Sequence, residues 1–147
     1  MRRVLFLIAL MIAGSAAQAQ ILPFLSKYQA KPPALVGIDA LRTDFAAQAG
    51  GTTIYFGSDS SMLGIPARTI LAAQAAWLRR HPDIVVRVEG YGDSGDTRDH
   101  ALAVGARRAE ETRAYLILLG VPSPQVSATS WGKERPGLGR SVTVLVR

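Results

Sequence analysis

The 147-residue chain carries 17 Lys and Arg against 11 Asp and Glu, 48% apolar residues, two histidines and no cysteine. That length suits one domain of ordinary size, and that apolar content supports a real core, which excludes wholesale disorder. The lack of cysteine excludes disulfides, thiolate metal sites, cysteine nucleophiles and a lipidated cysteine within these residues, and His81 and His100 alone leave little for zinc or iron.

In chain order, Arg2 and Arg3 precede an apolar run at residues 4–14, and Ala17-Gln18-Ala19 follows as a small-x-small cleavage site. This pattern predicts a secretory signal peptide over 1–19, since the run falls short of the ~20 apolar residues a membrane-spanning helix needs. Cleavage takes both arginines and no acid, lowering the formal charge of +6 by two. What is left is a mild positive charge that favours anionic surfaces without demanding nucleic acid. Residues 20–34 hold Pro23, Pro32 and Pro33 and read as a tether. Residues 35–51 form a short helix and linker, with Leu41, Phe45 and Ala49 on one face and Gly50-Gly51 as the stop.

The domain proper is expected over 52–147. Residues 53–56 are rich in strand formers and stop at the turn cluster 57–61. A helix follows from Pro66, with Ile70, Ala73 and Trp77 on its face, Leu71 and Leu78 beside them, and Arg79, Arg80 and His81 at its end before Pro82. Residues 84–89 are the second strand, with Ile84, Val86 and Val88 facing one way, and a polar loop runs over 90–99. The second helix spans about 100–119, capped by Thr97 or Asp99, with Leu102, Gly105, Ala109, Thr112 and Leu116 facing the core and Gly120 as its stop. Strands at 126–131 and 141–146 complete the pattern, the last with Val142, Val144 and Val146 on one face. The order β-α-β-α-β-β predicts an α/β (α+β) sandwich, a mixed sheet with helices packed on one side. Its first three strands should run roughly parallel, and its last two should pair as an antiparallel hairpin.

The loop at 90–99 contains Gly90-x-Gly92-x-x-Gly95 between a strand and a helix, which invites a dinucleotide reading. Asp93, Asp96 and Asp99 crowd the place where a pyrophosphate would bind, and no acidic residue ends a further strand at the required distance. Their spacing also lacks the alternation of a calcium loop, so a solvated acidic loop capping the next helix fits better. No G-x-S-x-G elbow supports a hydrolase. Trp77 and Trp131 suit a core better than a nucleic-acid platform.

There remains a charged pair. Asp93 leaves the end of the second strand, while Ala101, Val104 and Arg108 share one stripe of the following helix. A carboxylate and a guanidinium facing one cleft can grip a zwitterion, the first taking an ammonium and the second a carboxylate. The same spacing equally makes a structural Asp–Arg bridge with no ligand, and on spacing alone the bridge is favoured.

The segments TTIYFGSDSSML, LAAQAAWLRRHPDIVVRVEGYGD, LAVGARRAEETRAYLILLGV and SATSWGKERP resemble, in order, the OmpA-like C-terminal domain family, and within it most nearly the peptidoglycan-associated lipoproteins. The resemblance implies an OmpA-like fold, no enzymatic activity, no cofactor or metal, and non-covalent binding of peptidoglycan through the diaminopimelate of the stem peptide. It places the family's G-H-x-D aspartate on Asp93, the second arginine of its R-R-A on Arg108 and its F-x-F-D-S aspartate on Asp59. Tyr91 and Gly92 stand at the loop positions and Arg140 at the end of the last loop, all as expected ligand-binding residues. Three departures stand out: Asp96 replaces a loop glycine, Ala101 replaces an asparagine, and the loop 137–141 is short. The expected setting is the periplasm, peripheral to the outer membrane through Tol–Pal-type or other envelope proteins and without a lipid anchor. The alternative is a degenerate OmpA-like fold that serves as a protein–protein interaction module without binding murein.

Overall fold

The computed structural model describes residues 37–135 and 139–147. The signal peptide expected over 1–19, the tether over 20–34 and residues 136–138 of the shortened loop lie outside the described residues. Three α-helices and four strands make up the rest: α1 (Ile38–Gln48), β1 (Thr53–Tyr55), α2 (Ile65–Arg80), β2 (Val86–Tyr91), α3 (Arg98–Leu118), a 3-10 turn (Ser123–Gln125), β3 (Val126–Gly132) and β4 (Arg140–Leu145).

The ends of these elements follow from local chemistry. Pro66 sits in the first turn of α2, where its missing N–H costs nothing, and Arg79 and Arg80 meet the negative end of the helix dipole. Thr97 caps α3 by accepting the His100 N–H at 3.3 Å, and Gly120 adopts φ 91° just past the helix, a conformation that glycine takes at little cost.

The sheet order is β1-β4-β2-β3, with β2 and β3 parallel and β4 antiparallel to both β1 and β2. The first three strands thus run the same way, as expected, but β3 and β4 do not form a hairpin. The final strand inserts between β1 and β2. Alternating hydrophobicity tells a chain to form a strand; it does not tell that strand its neighbour. β1 is short and pairs only with residues 140–142 of β4, and α1 covers the far half of that edge, where Arg42 donates to the Leu145 carbonyl at 3.1 Å.

All three helices pack on one face of the sheet. Phe45, Leu71, Trp77, Leu78, Val86, Val88 and Leu116 are fully buried there, and Phe45 meets the Trp77 ring edge-on at 5.0 Å. The indole N–H, which needs an acceptor once buried, donates to Asp44 at 2.8 Å. On β4, Val142 and Val144 share one face, as expected, and it is the open one, where they lie half-buried; Ser141, Thr143 and Leu145 point at the helices. The inward polar groups are satisfied: Thr112 and Ser141 share a hydrogen bond at 2.9 Å, and Thr143 donates to Gln74 at 2.8 Å.

On α3 the buried stripe is Ala101, Val104, Gly105, Arg108, Ala109, Thr112 and Leu116. Leu102, expected in the core, is 47% exposed. The helix lies so close to the sheet that only small residues fit between them. A β-carbon on Gly90 would stand 1.9 Å from the Gly105 carbonyl oxygen, and one on Gly105 would stand 2.5 Å from Ser130 Oγ. Leu102, one residue round from Ala101, is turned past this contact toward solvent.

Gly90→Ala should therefore cost about 3 kcal/mol or more, because backbone rather than a flexible side chain must yield. Leu102→Ala should cost less than about 1 kcal/mol. Urea midpoints of the two variants check both values.

Candidate functional site

The close packing of α3 carries Arg108 to the end of the sheet where β1 and β2 open into loops. Its side chain is completely buried. A buried guanidinium needs partners for all five of its N–H groups, and here each has one. Nε donates to the Ser60 carbonyl at 2.8 Å; one terminal nitrogen donates to the Tyr91 carbonyl and to Asp93 Oδ1, both at 2.8 Å. The other donates to the Gly57 carbonyl at 2.8 Å and to Asp93 Oδ2 at 3.2 Å. The Phe56 ring lies 5.4 Å from the guanidinium carbon and adds a cation–π contact.

Arg108 thereby ties the loop after β1 to the loop after β2. Asp93 completes the tie, since its Oδ2 also accepts the backbone N–H of Asp59 at 2.6 Å. Asp59 reaches that position with φ 50°, a left-handed conformation that a non-glycine residue holds only when its surroundings fix it. The Arg108 bonds to Gly57 and Ser60 on either side do so. The hydrogen bond from Arg108 holds the Asp93 carboxyl below the ordinary aspartate range. Partial burial opposes the shift, and the Asp59 N–H and the nearby positive charges reinforce it.

At the mouth of this site the Asp59 carboxylate is 61% exposed, 2.9 Å from His100 Nε2 and 3.9 Å from the Arg107 guanidinium. Asp96 turns toward the same imidazole at 3.9 Å, with its other carboxylate oxygen buried and without a hydrogen bond. Beside Asp59, Ser61, Met62, Arg68, Glu111 and Tyr115 line a shallow depression of about 500 Å³.

Of the residues singled out in the sequence, Asp59, Asp93 and Arg108 come together. Tyr91 contributes its carbonyl to Arg108, but its ring turns to the opposite, open face of the sheet, where the hydroxyl donates to the buried Glu89 carboxylate at 3.0 Å. Burial and that bond push the Tyr91 hydroxyl pKa up. Arg140 lies over the Tyr91 ring at 5.7 Å and so belongs to that face too. Alternation along β2 explains both: Gly90 faces α3, so Tyr91 cannot.

Gly92 serves as a spacer. Its N–H donates to Gly132 and its carbonyl accepts from Gly139, both at 2.8 Å, and a β-carbon there would stand 2.5 Å from Ala101 Cα. Ala101 is thus buried beneath Gly92 and does not face the cleft. Trp131, expected in the core, is half-buried with Arg135 stacked 3.4 Å from its ring centre.

His100 and Arg107 were not singled out as site residues. They are seven apart on one stripe of α3, as Ala101 and Arg108 are on the next, and that repeat was the signal available. Among the described residues no group of His, Asp and Glu is arranged to hold a metal ion, and no helix is long and apolar enough to cross a membrane.

The OmpA family model matches residues 55–142. The peptidoglycan-associated lipoprotein of Agrobacterium fabrum is 43% identical over 86 residues, covering 58% of this chain and 49% of that protein. The protein of the same name from Pseudomonas aeruginosa is 40% identical over 99 residues, covering 67% and 58%. The chain thus spans about half the length of such relatives. Among solved structures, the peptidoglycan-associated lipoprotein of Burkholderia pseudomallei superposes with a TM-score of 0.63 at 31% identity, covering 65% of this chain and 91% of that one. The C-terminal domain of Helicobacter pylori MotB gives 0.59 at 18% identity, covering 65% and 84%, a likeness of fold alone.

Removing the guanidinium in Arg108→Ala strands Asp93 and three carbonyls, and should destabilise the domain by about 3–5 kcal/mol. Arg108→Lys should recover only part, since an ammonium cannot reproduce the planar fork. Because the folded Asp93 pKa lies below its unfolded value, its stabilisation is present above about pH 4 and is lost as pH falls through the folded value. Asp93→Asn should therefore flatten the acid side of the stability profile, measured by urea titrations from pH 7 down to pH 2.

Proposed function

Because the chain belongs to the OmpA family, we propose that it binds peptidoglycan non-covalently in the cell envelope, through the diaminopimelate of the stem peptide. The observation that carries this reading is the convergence of Asp59, Asp93 and Arg108 at one end of the sheet, on the positions where the family pattern has its charged residues. An uncrosslinked diaminopimelate presents an ammonium and a carboxylate on the same carbon. The exposed Asp59 carboxylate supplies the charge for the first, and the cations around it supply the second. The Asp93–Arg108 pair holds the two loops in register so that this surface exists before the ligand arrives, which lowers the ordering cost of binding.

The proposed role is to hold a ligand, with no bond made or broken and no cofactor. The proposed setting is the periplasm, reached through the signal peptide over 1–19, with Tol–Pal-type or other envelope proteins as partners. The relatives whose names say they are peptidoglycan-associated are 40–44% identical to this chain over 86–99 residues, which supports the reading.

One observation favours a second reading. Arg108 donates all five N–H groups to the protein itself, which suits a structural bridge inside an interaction module that does not bind murein.

A pulldown with purified diaminopimelate-type peptidoglycan separates the two readings. The chain lacking residues 1–19 should sediment with the polymer, and Asp93→Ala and Arg108→Ala should weaken binding at least about tenfold, because the loops that form the charged surface lose the tie that orders them. Melting curves run in parallel show whether each variant is folded. Folded wild-type protein that stays in the supernatant supports the interaction module instead.

A further inference from the structure

We infer that β3 is a self-pairing edge: β3 of one copy of the chain lies antiparallel against β3 of a second copy, joining two four-stranded sheets into one of eight. The inference is independent of the peptidoglycan reading.

The two edges of the sheet differ. At one, α1 closes the half that β1 leaves bare, with Arg42 on the Leu145 carbonyl. At the other, β3 has β2 on one side only, and its residues Val126–Gly132 include neither a charged residue nor a proline, the usual means of blunting an edge. Val85 turns its N–H and C=O to the end of β4, so Val86, Val88 and Gly90 turn theirs to β3. In a parallel pair of that register, Ser127, Thr129 and Trp131 bond to β2, while Val126, Ala128, Ser130 and Gly132 turn their backbone away from it. The protein itself uses the two ends. The Val126 N–H donates to the Ser123 carbonyl, and the Val126 carbonyl accepts from Arg113 at 3.0 Å. The Gly132 N–H donates to Ser130 Oγ at 3.2 Å, and its carbonyl accepts from Gly92 at 2.8 Å. The N–H and C=O groups of Ala128 and Ser130 remain, without a partner among the described residues.

These groups are symmetric about Thr129, and that symmetry points to a second copy as the occupant. When Ala128 of each chain pairs with Ser130 of the other, every outward N–H meets an outward carbonyl and none is left over. The same register sets the Val126 end of each strand against the Gly132 end of the other. Arg113, held beside Ser123 and Val126, then faces Glu134 of the second copy, and the twofold axis repeats this charge pairing. Above the edge, Leu102, Ala106 and Arg113 lie on one stripe of α3. Exposed Leu102 gains an apolar cover, and Ala106, too small to hold the two helices apart, sits nearest the axis. The two Arg108 junctions lie at opposite ends of the joined sheet.

Sedimentation equilibrium of the chain lacking residues 1–19 should show twice the monomer mass at sub-millimolar concentration, as suits a small interface. Ala128→Pro removes an outward N–H where an edge strand tolerates proline, and Ala106→Glu sets two like charges across the axis. Both should give the monomer mass while melting close to wild type. The chain has no cysteine, so single cysteines report the register. In the paired state Thr129 meets its own copy with Cα atoms about 4.5 Å apart, whereas the two Ser127 residues lie about 14 Å apart. Thr129→Cys should therefore oxidise in air to a disulfide-linked dimer and Ser127→Cys should not; this comparison decides even if an edge variant unfolds. Equal cross-linking at both positions, or a dimer that survives both Ala128→Pro and Ala106→Glu, overturns the inference. So does a wild-type chain that stays monomeric, which leaves the edge to a strand of another protein.

Discussion

The end of the sheet is organised around one buried cation. A guanidinium moved out of water must recover every lost hydrogen bond, and Arg108 does so by drawing in two carbonyls from the loop after β1, one from the end of β2, and a carboxylate. The requirement runs in both directions. The loops must bend to bring Gly57, Ser60, Tyr91 and Asp93 around the guanidinium, and once bent they have little other conformation in which the cation is satisfied. The strained backbone at Asp59 follows from this constraint, as does the depressed Asp93 carboxyl. A hydrophobic residue in the same place would fill the space without dictating where the loops go.

Two of the three departures have a structural account. Where the resemblance expects an asparagine this chain has Ala101, and the backbone of Gly92 closes on it until no β-carbon fits at 92. With Ala101 fully buried under that contact, this position leaves no gap in the cleft. Asp96 keeps its charge next to His100 rather than over Arg108. Of the three departures, these two are absorbed by local geometry.

Much of this was legible in the residues. Periodicity located the helices, Thr97 and Gly120 marked the ends of α3, and the stripe through Ala101, Val104 and Arg108 placed the arginine beside Asp93. The unread parts have specific physical causes. Strand alternation carries no information about lateral order, so the insertion of β4 between β1 and β2 was invisible, and it groups the valines at 142 and 144 without telling that the helices take Ser141 and Thr143. Leu102 outranks Ala101 in hydrophobicity, yet at a contact this close the smaller residue wins the buried place. The saturation of Arg108 depends on three backbone carbonyls, which no side-chain pattern encodes.

The insertion of β4 also makes the closing contacts of the sheet long-range. β1 and β2 never touch through hydrogen bonds; each is paired to β4, whose residues are some fifty to ninety positions farther along the chain. Residues from α1 through β3 include the parallel β2–β3 pair, whereas the strand pairing of β1 depends wholly on β4. Closing the sheet therefore joins distant parts of the chain, the kind of topology that folds slowly for its size. A chain interrupted anywhere before β4 would present the open edge of β2, with no neighbour of its own to cover it.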